Sequence, residues 1–338
     1  MVEIKTPAGK EAQALWYVEP GVADLRRAQV TPGPGQALVR TLWSGLSRGT
    51  ERLVFNGRVP ASEYERMGAP LQEGTFPFPV KYGYCAVGVV EDAPEAPDLV
   101  GRAVFCLHPH QTLFAAPLAM LTLLREGLSP RRAVLAANME TALNALWDSG
   151  AGPGDRITVV GAGLVGLLVA YLAAALPGAD VTVVDLDPSR RAIAESFGAR
   201  FATPAEYGGP GDADVVFHAS AAAAGLKVAL GAAGLEARVV ELSWYGEGDV
   251  AAPLGGAFHS RRLSLISSQV GHVAPSRRPR WTYARRLAKA VELLGDARLD
   301  ALISSEVAFA DLPQALPALL APGAKGLATV VRYGAAGA

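Results

Sequence analysis

Three glycines in the middle of the chain have a spacing that favours phosphate binding. Residues 157–160 are apolar or β-branched and predict a buried strand, and Gly161, Gly163 and Gly166 follow it at once. The first glycine permits a tight turn, the second lets the backbone approach a pyrophosphate, and the third lets the next helix pack closely on the strand. The pattern therefore predicts a dinucleotide site at the end of this strand.

A predicted helix and an acidic residue complete this site. The helix covers residues 164–176, and its first N–H groups, on Leu164 and Val165, attract phosphates together with the helix dipole. A second predicted strand, residues 181–184, ends in Asp185. Because a carboxylate accepts hydrogen bonds from ribose hydroxyls and repels a 2′-phosphate, we predict NAD(H) as the preferred cofactor and NADP(H) as the weaker ligand.

The elements that position this site alternate along the second half of the chain. From Asp155 onward predicted strands and helices follow one another, which predicts an α/β arrangement with a doubly wound parallel sheet. The first 120 or so residues instead have short predicted strands and many turns, as in a small barrel. The chain therefore divides into a β-rich part and a cofactor-binding part.

Composition excludes several classes of function. The 338 residues suggest two domains, and half of them are hydrophobic, so a sizeable core is available. A net charge of −1 argues against nucleic acid or a membrane surface as the main partner. No apolar run reaches the roughly 20 residues of a membrane span, and residues 1–5 lack the layout of a signal peptide. With only two cysteines, we expect a cytoplasmic protein.

The layout resembles the medium-chain dehydrogenase/reductase superfamily, which includes zinc alcohol dehydrogenases and quinone reductases. Residues 44–51 resemble its first-ligand loop, and residues 80–90 resemble its glycine-histidine-glutamate strand. Residues 152–156 lead into the cofactor strand as in that family, and residues 309–316 resemble its C-terminal helix entry. The resemblance covers nearly the whole chain and implies hydride transfer between a nicotinamide and a small-molecule substrate.

The resemblance also implies the domain organisation. A GroES-like, β-rich catalytic domain is expected from residues 1–125 and 272–338. A Rossmann NAD-binding domain, residues 126–271, is expected as an insertion between them. The family forms dimers, and an apolar strand near residues 263–267, at the expected sheet edge, adds a reason to expect a homodimer.

The positions that hold catalytic zinc in that family carry other residues here. By resemblance the three ligand positions are Ser47, Tyr84 and a residue near Ala137, and the glutamate next to the second ligand is Cys85. Neutral hydroxyls bind zinc poorly compared with thiolate and imidazole, and a methyl group does not bind it. We therefore expect a zinc-free member with no bound metal.

A second, partial resemblance is to the bacteriochlorophyllide dehydrogenases. Residues 49–52, Gly-Thr-Glu-Arg, and the pair Gly83-Tyr84 are similar to that family. Those proteins convert a hydroxyethyl side group to acetyl, and this substrate is not carried over to the present chain.

Without zinc, another group must supply a proton or a positive field to the substrate oxygen. Tyr84 and Ser47 occupy zinc-ligand positions, and Lys81 could lower the pKa of Tyr84 if the strand bends at Gly83. Glu140, on the helix that enters the cofactor domain, is a candidate base. The alternatives are that Tyr84 packs in the barrel, Lys81 is solvated, and Glu140 is a helix-surface acid.

Further residues are candidates for contact with the cofactor. Arg48 and Thr50 lie in the loop that the resemblance places near the nicotinamide, although Arg48 could instead pair with Glu51 or bind an acidic substrate. Thr141 lies near the missing third ligand.

Two more candidates follow predicted strands of the cofactor domain. His218 ends one strand, and Ser243, followed by Trp244 and Tyr245, comes after the next. Strand ends in such sheets face the ligand crevice. The alternatives are a structural, hydrogen-bonded His218 and a Trp244 that belongs to the core.

Three functions remain open from the sequence. The leading hypothesis is an NAD-dependent oxidoreductase that acts on an alcohol or ketone without zinc. The alternatives are a zinc-free enoyl or quinone reductase and a catalytically silent NAD-binding protein. Arginine clusters at residues 259–262 and 277–286 leave an anionic substrate open.

Overall fold

The computed structural model describes residues 9–246 and 248–334. Residues 1–5, in which no signal peptide is expected, lie outside the described residues. Within the described ranges, no helix has both the length and the apolar character that a membrane crossing requires.

The described strands fall into three sheets. In chain order the strands are β1 (Lys10–Glu19), β2 (Val22–Val30), β3 (Gln36–Leu46), β4 (Glu73–Gly74), β5 (Val80–Lys81), β6 (Ala86–Asp92), β7 (Ala103–Cys106), β8 (Leu113–Pro117), β9 (Thr122–Leu123), β10 (Arg156–Val160), β11 (Asp180–Val184), β12 (Arg200–Ala202), β13 (Ala213–His218), β14 (Ala233–Glu241), β15 (Ser264–Ser267), β16 (Ile303–Ala308) and β17 (Ala328–Arg332).

Nine of the eleven described α-helices begin at residue 130 or later. They are α1 (Arg48–Phe55), α2 (Tyr64–Met67), α3 (Pro130–Ala133), α4 (Ala136–Ser149), α5 (Leu164–Ala174), α6 (Arg191–Ser196), α7 (Pro204–Tyr207), α8 (Ala223–Ala232), α9 (Ala257–Ser260), α10 (Tyr283–Leu293) and α11 (Leu312–Leu319).

The first of two compact units is β-rich. It comprises the described residues of Met1–Ala137 and of Ile303–Ala338, together with Val291–Gly295. One sheet has the order β2-β1-β5-β4, and the other has the order β16-β17-β3-β6-β7-β9, with β8 also paired to β3. All pairings are antiparallel except β16 with β17.

The predicted continuous strand over residues 80–90 is two strands. β5 belongs to the four-stranded sheet and β6 belongs to the seven-stranded sheet. Gly83 lies between them with φ +123°, a conformation that residues with a Cβ rarely adopt. The bend at Gly83 that a pairing of Lys81 with Tyr84 would need is therefore present, and it lets the chain pass from one sheet to the other with Tyr84 in the connection.

The second unit contains the parallel sheet. It comprises Asn138–Ala290 and Asp296–Leu302, and its six strands have the order β12-β11-β10-β13-β14-β15. Every neighbouring pair is parallel. The strand order reverses between β10 and β13, which makes the carboxyl end of β10 the point where such sheets bind ligands.

The bounds of the units differ from the predicted domain bounds. Residues 126–137 lie in the β-rich unit, and residues 272–290 and 296–302 lie in the parallel-sheet unit. The second difference has a clear cause, since the buried Arg286 on α10 donates hydrogen bonds to Glu140 on α4 and to the backbone of residues 270 and 272. These bonds tie residues 270–286 to α4.

Candidate active site

The glycine loop after β10 has the shape that a dinucleotide needs. Gly161 has φ +108°, and a Cβ there would lie 2.7 Å from the backbone nitrogen of Ser220. A Cβ on Gly166 would lie 1.9 Å from the carbonyl oxygen of Gly161, so only glycine lets α5 sit this close to the loop. A Cβ on Gly163 would meet nothing within 4 Å, which leaves that face of the loop open.

The groups that flank this loop suit phosphate and ribose. α5 begins at Leu164 with Gly163 as N-cap and no side-chain capping bond, so its first N–H groups, including that of Val165, are available to phosphate oxygens. Asp185 directly follows β11, the neighbour of β10, and its carboxylate accepts hydrogen bonds from the N–H groups of Ala162 at 2.5 Å and Asp187 at 2.8 Å. These residues fit a nicotinamide dinucleotide.

His218 and Ser243 lie at the carboxyl ends of the next strands but contact other side chains. His218 is buried, with Nδ1 2.7 Å from Glu241 Oε2 and Nε2 2.7 Å from Ser220 Oγ. Both ring nitrogens are therefore engaged, as in the alternative of a structural histidine. Ser243 Oγ accepts a hydrogen bond from the N–H of Ala221 at 2.9 Å, and Trp244 is 36% exposed rather than part of the core.

Two candidate residues, Glu140 and Thr141, lie on α4, and Glu140 is buried in an ion pair. Glu140 is buried, and Arg286 Nε donates to its Oε1 at 2.9 Å, so it is not the helix-surface acid of the alternative interpretation. Burial raises the pKa of Glu140 above its ordinary value although Arg286 opposes this. An ion-paired carboxylate is a weak candidate base, and its partner ties α4 to α10. Thr141 is half-buried on the same helix.

Hydroxyl groups cluster at two of the predicted zinc-ligand positions in the β-rich unit. Tyr84 Oη is in hydrogen-bonding contact with Ser47 Oγ and lies 3.2 Å from Thr50 Oγ1. Burial is the main cause that raises the pKa of Tyr84 well above its usual range, and the hydrogen bonds to Ser47 and Thr50 only partly oppose it. Tyr84 is consequently a neutral phenol at physiological pH, and its raised pKa makes it a weaker acid than a free tyrosine.

Two predicted cations do not take the expected positions. Lys81 Nζ is buried and is bound to Glu73 and, at 2.6 Å, to Gln111 Oε1, so its charge is directed away from the phenol of Tyr84. The expectation that Lys81 lowers the pKa of Tyr84 is wrong, because the pKa is raised. Arg48 donates to the backbone carbonyls of residues 324–326, which ties α1 to the loop before β17.

The donor set at the predicted zinc positions does not fit zinc. Ser47 and Tyr84 offer neutral hydroxyls bound to each other, and Ala137 offers a buried methyl group. Cys85, next in sequence to Tyr84, is buried, and a Cβ on Gly45 would lie 3.3 Å from the Cβ of Cys85. Across residues 9–246 and 248–334, no three His, Cys, Asp or Glu side chains are grouped as a metal ion would need.

The histidines near Cys106 are also engaged elsewhere. His108 stacks on Phe114 at 3.9 Å between ring centroids, and burial lowers the pKa of His108 to about 3. His110 Nδ1 lies 2.6 Å from Ser44 Oγ, and its Nε2 lies 3.1 Å from Glu51 Oε2.

Glu51 is a candidate site residue that the sequence analysis did not identify. The alternative interpretation of Arg48 made Glu51 its surface partner, but Glu51 is fully buried. Its carboxylate accepts hydrogen bonds from Tyr17 Oη at 2.6 Å and from the N–H of Ser47 at 2.7 Å, besides the contact with His110. The spacing from Ser47 to Glu51 is one residue longer than that of a capping box, so no standard sequence signal predicted this contact. Through Ser47, Glu51 positions the contact of Tyr84.

The fold of this chain is similar to the folds of several dehydrogenases of known structure. No protein-family model matches the chain. The structure is similar to that of L-idonate 5-dehydrogenase from Escherichia coli K-12, with a TM-score of 0.78 and 14% identity over 96% of this chain and 98% of that chain. A short chain alcohol dehydrogenase (RspB) from E. coli CFT073, complexed with NADH, gives a TM-score of 0.75 and 16% identity over 96% of this chain and 100% of that chain.

A third similar structure extends the range of organisms. A thermostable alcohol dehydrogenase from Pyrobaculum aerophilum has a TM-score of 0.76 and 20% identity over 96% of this chain and 100% of that chain. The likeness to these dehydrogenases confirms the predicted fold class, a GroES-like β-rich part combined with a Rossmann parallel sheet.

Proposed function

We propose that the chain is an NAD(H)-dependent oxidoreductase of the medium-chain dehydrogenase/reductase superfamily that acts on an alcohol or ketone without zinc. The observation that supports this most is the open glycine loop at the point where the sheet order reverses, with Asp185 at the end of the neighbouring strand. The dehydrogenase fold and the NADH complex of RspB add support.

Preference for NAD(H) over NADP(H) rests on Asp185. Its carboxylate lies beside the glycine loop, where it would accept hydrogen bonds from ribose hydroxyls and repel a 2′-phosphate. The nearest basic residues in sequence are already paired, since Arg190 lies 3.3 Å from Asp187 and Arg191 lies 2.9 Å from Glu206. These ion pairs leave Asp185 as the dominant charge at the expected ribose position.

The cofactor and the side chains around Tyr84 have separate roles in the proposed reaction. A bound nicotinamide supplies or accepts the hydride. When a ketone is reduced, its carbon gains the hydride and its oxygen gains a proton, for which we propose the phenol of Tyr84 as the source. Ser47 and Thr50 hold that phenol by hydrogen bonds, and Glu51 fixes Ser47 by its backbone N–H. The raised pKa makes this phenol a weaker acid than a free tyrosine, so it can donate its proton only to the strongly basic oxygen that hydride transfer produces on the substrate.

We also propose that the partner molecules are a small-molecule substrate and a second copy of the chain in the cytoplasm, rather than nucleic acid or a membrane. β15 lies at the edge of the six-stranded sheet, and Leu265 on it is 37% exposed. An exposed apolar edge strand is commonly covered by a partner. Light scattering that gave a mass near the 35.1 kDa of one chain would contradict the homodimer.

The test of the function is a reduction assay with untagged, metal-analysed protein. NADH is supplied with ketones, enones and quinones, with neutral and carboxylate-bearing compounds in each class, before and after treatment with a chelator. We expect turnover of ketones that survives chelation. Turnover of enones or quinones alone would instead indicate the alternative reductases, and one zinc per chain with activity lost on chelation would contradict the zinc-free proposal.

Tyr84→Phe tests the proposed proton source in the same assay. General acids typically contribute about 10²–10⁴-fold to a rate, so we expect kcat to fall by about 100-fold or more. Tyr82→Phe is the matched control, because Tyr82 Oη donates to the carbonyl oxygen of Met67. A loss of less than about tenfold for Tyr84→Phe would exclude Tyr84 as the acid.

A further inference from the structure

A histidine and a glutamate form a pair across the ends of two strands of the parallel sheet. His218 is the last residue of β13 and Glu241 is the last residue of β14, and the two are register partners. Water reaches this 2.7 Å contact between Nδ1 and Oε2 only from the side of the carboxylate, because the His218 side chain is fully buried and that of Glu241 is 16% exposed. Although burial alone would raise the pKa of Glu241, its hydrogen bonds with His218 and Ser243 lower it.

This pair holds two hydroxyl groups, one in each loop that follows. Ser220 Oγ, in the loop after β13, lies 2.7 Å from His218 Nε2. Tyr245 Oη, in the loop after β14, lies 3.3 Å from both His218 Nδ1 and Glu241 Oε2. Tyr245 is half-buried, so its hydroxyl is fixed from behind while part of the side chain remains accessible.

The neighbouring backbone is built around the pair. A Cβ on Gly225, in the first turn of α8, would lie 2.1 Å from Ser220 Oγ and 2.7 Å from His218 Nε2. The absence of a side chain at Gly225 therefore makes room for these two groups. Glu241 Oε1 accepts the N–H of Ser243 at 2.8 Å, which ties the second loop to the same carboxylate.

The cluster lies on the opposite side of the glycine loop from Asp185. The sheet order places β11, which ends before Asp185, on one side of β10, and places β13 and β14 on the other side. Ser220 borders the glycine loop itself, since a Cβ on Gly161 would lie 2.7 Å from its backbone nitrogen. A dinucleotide with one ribose at Asp185 and its pyrophosphate on the loop therefore extends its other half toward β13 and β14.

We propose that Tyr245 binds the carboxamide of the nicotinamide half, and that His218 and Glu241 are the positioning residues that hold its hydroxyl. This inference rests on the proposed function. The Tyr245 hydroxyl donates to Glu241, and its oxygen keeps a lone pair that accepts from an amide N–H. Burial and the charge of Glu241 raise the pKa of Tyr245, so the phenol keeps the proton that it donates.

Calorimetric titration with two ligands tests the contact. ADP-ribose retains every part of NADH except the nicotinamide, so it reports on the rest of the site. We expect Tyr245→Phe to weaken NADH binding by about three- to tenfold, as for one lost hydrogen bond, with the affinity for ADP-ribose unchanged. Tyr283→Phe, which removes a hydroxyl bonded to Gly271 on another part of this unit, is the matched control and should change neither affinity.

A double-mutant cycle tests the positioning role. Glu241→Gln should weaken NADH binding in the wild-type background and have little effect in the Tyr245→Phe background, because it acts through that hydroxyl. Equal losses in both backgrounds, an unchanged NADH affinity in Tyr245→Phe, or equal loss of both ligands would overturn the inference. Wild-type protein that binds neither ligand would overturn the proposed function itself, whereas normal binding without these differences overturns the inference alone.

Discussion

Among the residues that the structure describes, each unit contains a histidine–glutamate pair, and the two pairs differ in what surrounds them. In the β-rich unit, the side chains of His110 and Glu51 are 1% and 0% exposed. In the parallel-sheet unit, those of His218 and Glu241 are 0% and 16% exposed. The first pair is closed to water on all sides, while the second has one carboxylate that water reaches.

The partners of the two pairs explain the difference. Glu51 and His110 connect β1, β3 and α1 through Tyr17, Ser44 and Ser47, which lie far apart in the sequence. The second pair connects adjacent strand ends and the short loops after them. We therefore expect the same chemistry to contribute mainly to stability when the surrounding elements close over it, and to the proposed ligand positioning when half-exposed hydroxyls border it.

The largest expected effect is on stability, from loss of the carboxylate in the closed pair. Glu51→Ala leaves His110 and Tyr17 without a buried acceptor, so we expect it to lower the free energy of unfolding by about 3 kcal/mol. Glu241→Ala should cost about 1 kcal/mol, because water can replace the accessible carboxylate. Urea denaturation measures both, with Glu195→Ala, at an exposed position of α6, as control. Equal losses of unfolding free energy for Glu51→Ala and Glu241→Ala would contradict the proposed difference between the two pairs.

A histidine without a carboxylate partner should make the β-rich unit sensitive to acid. His108 is 4% exposed, and burial lowers its pKa to about 3, below the unfolded value of about 6.5. The stability that neutral His108 contributes is therefore fully present above about pH 6.5 and is lost as the pH falls toward about 3. Between pH 6.5 and 5, wild type should lose about 2 kcal/mol more than His108→Phe, which keeps the ring stacked on Phe114.

Urea denaturation at a series of pH values measures this difference. His259→Phe, at an exposed position of α9, is the control for replacing a histidine by an aromatic residue. Parallel pH profiles for wild type and His108→Phe would show that burial of this histidine is not linked to the acid sensitivity.

The smallest expected effect comes from two glycines on one helix. Gly225→Ala places a Cβ against Ser220 and His218, so it should displace the second pair and weaken NADH binding by about three- to tenfold. Gly231→Ala, also on α8, meets nothing within 4 Å and should stabilise the helix by about 0.5–1 kcal/mol without changing NADH affinity. Calorimetry measures the NADH affinity of both variants, and urea denaturation measures their stability. If Gly225→Ala and Gly231→Ala bind NADH equally well, displacement of the second pair does not affect cofactor binding.

The sequence predicted the parts of the site that the backbone forms. The glycine loop, α5 and Asp185 follow one another within a short stretch, and each glycine has a local geometric reason for its position. The alternation of strands and helices predicted the parallel sheet, and the family resemblance implied the GroES-like part of the fold class. Side chains that meet across long separations were predicted less well, because residue type and spacing do not determine which partner a charged group finds.

Two charged residues illustrate that limit. Lys81 was expected near Tyr84 from sequence proximity, but its partners are Glu73 and Gln111. Arg48 was expected at the cofactor or at Glu51, yet backbone carbonyls of residues 324–326 accept its hydrogen bonds. Buried ions require several acceptors or donors at once, and such sets are assembled only when distant segments pack together.

The most direct test of the central claim is the binding of NADH and NADPH to wild-type protein, measured by calorimetry under the same conditions. The glycine loop and Asp185 predict that NADH binds at least about tenfold more tightly, since the carboxylate accepts from ribose hydroxyls and repels a 2′-phosphate. Asp185→Ser should remove most of that difference. NADPH binding that equals or exceeds NADH binding, or no binding of either dinucleotide, would contradict the account.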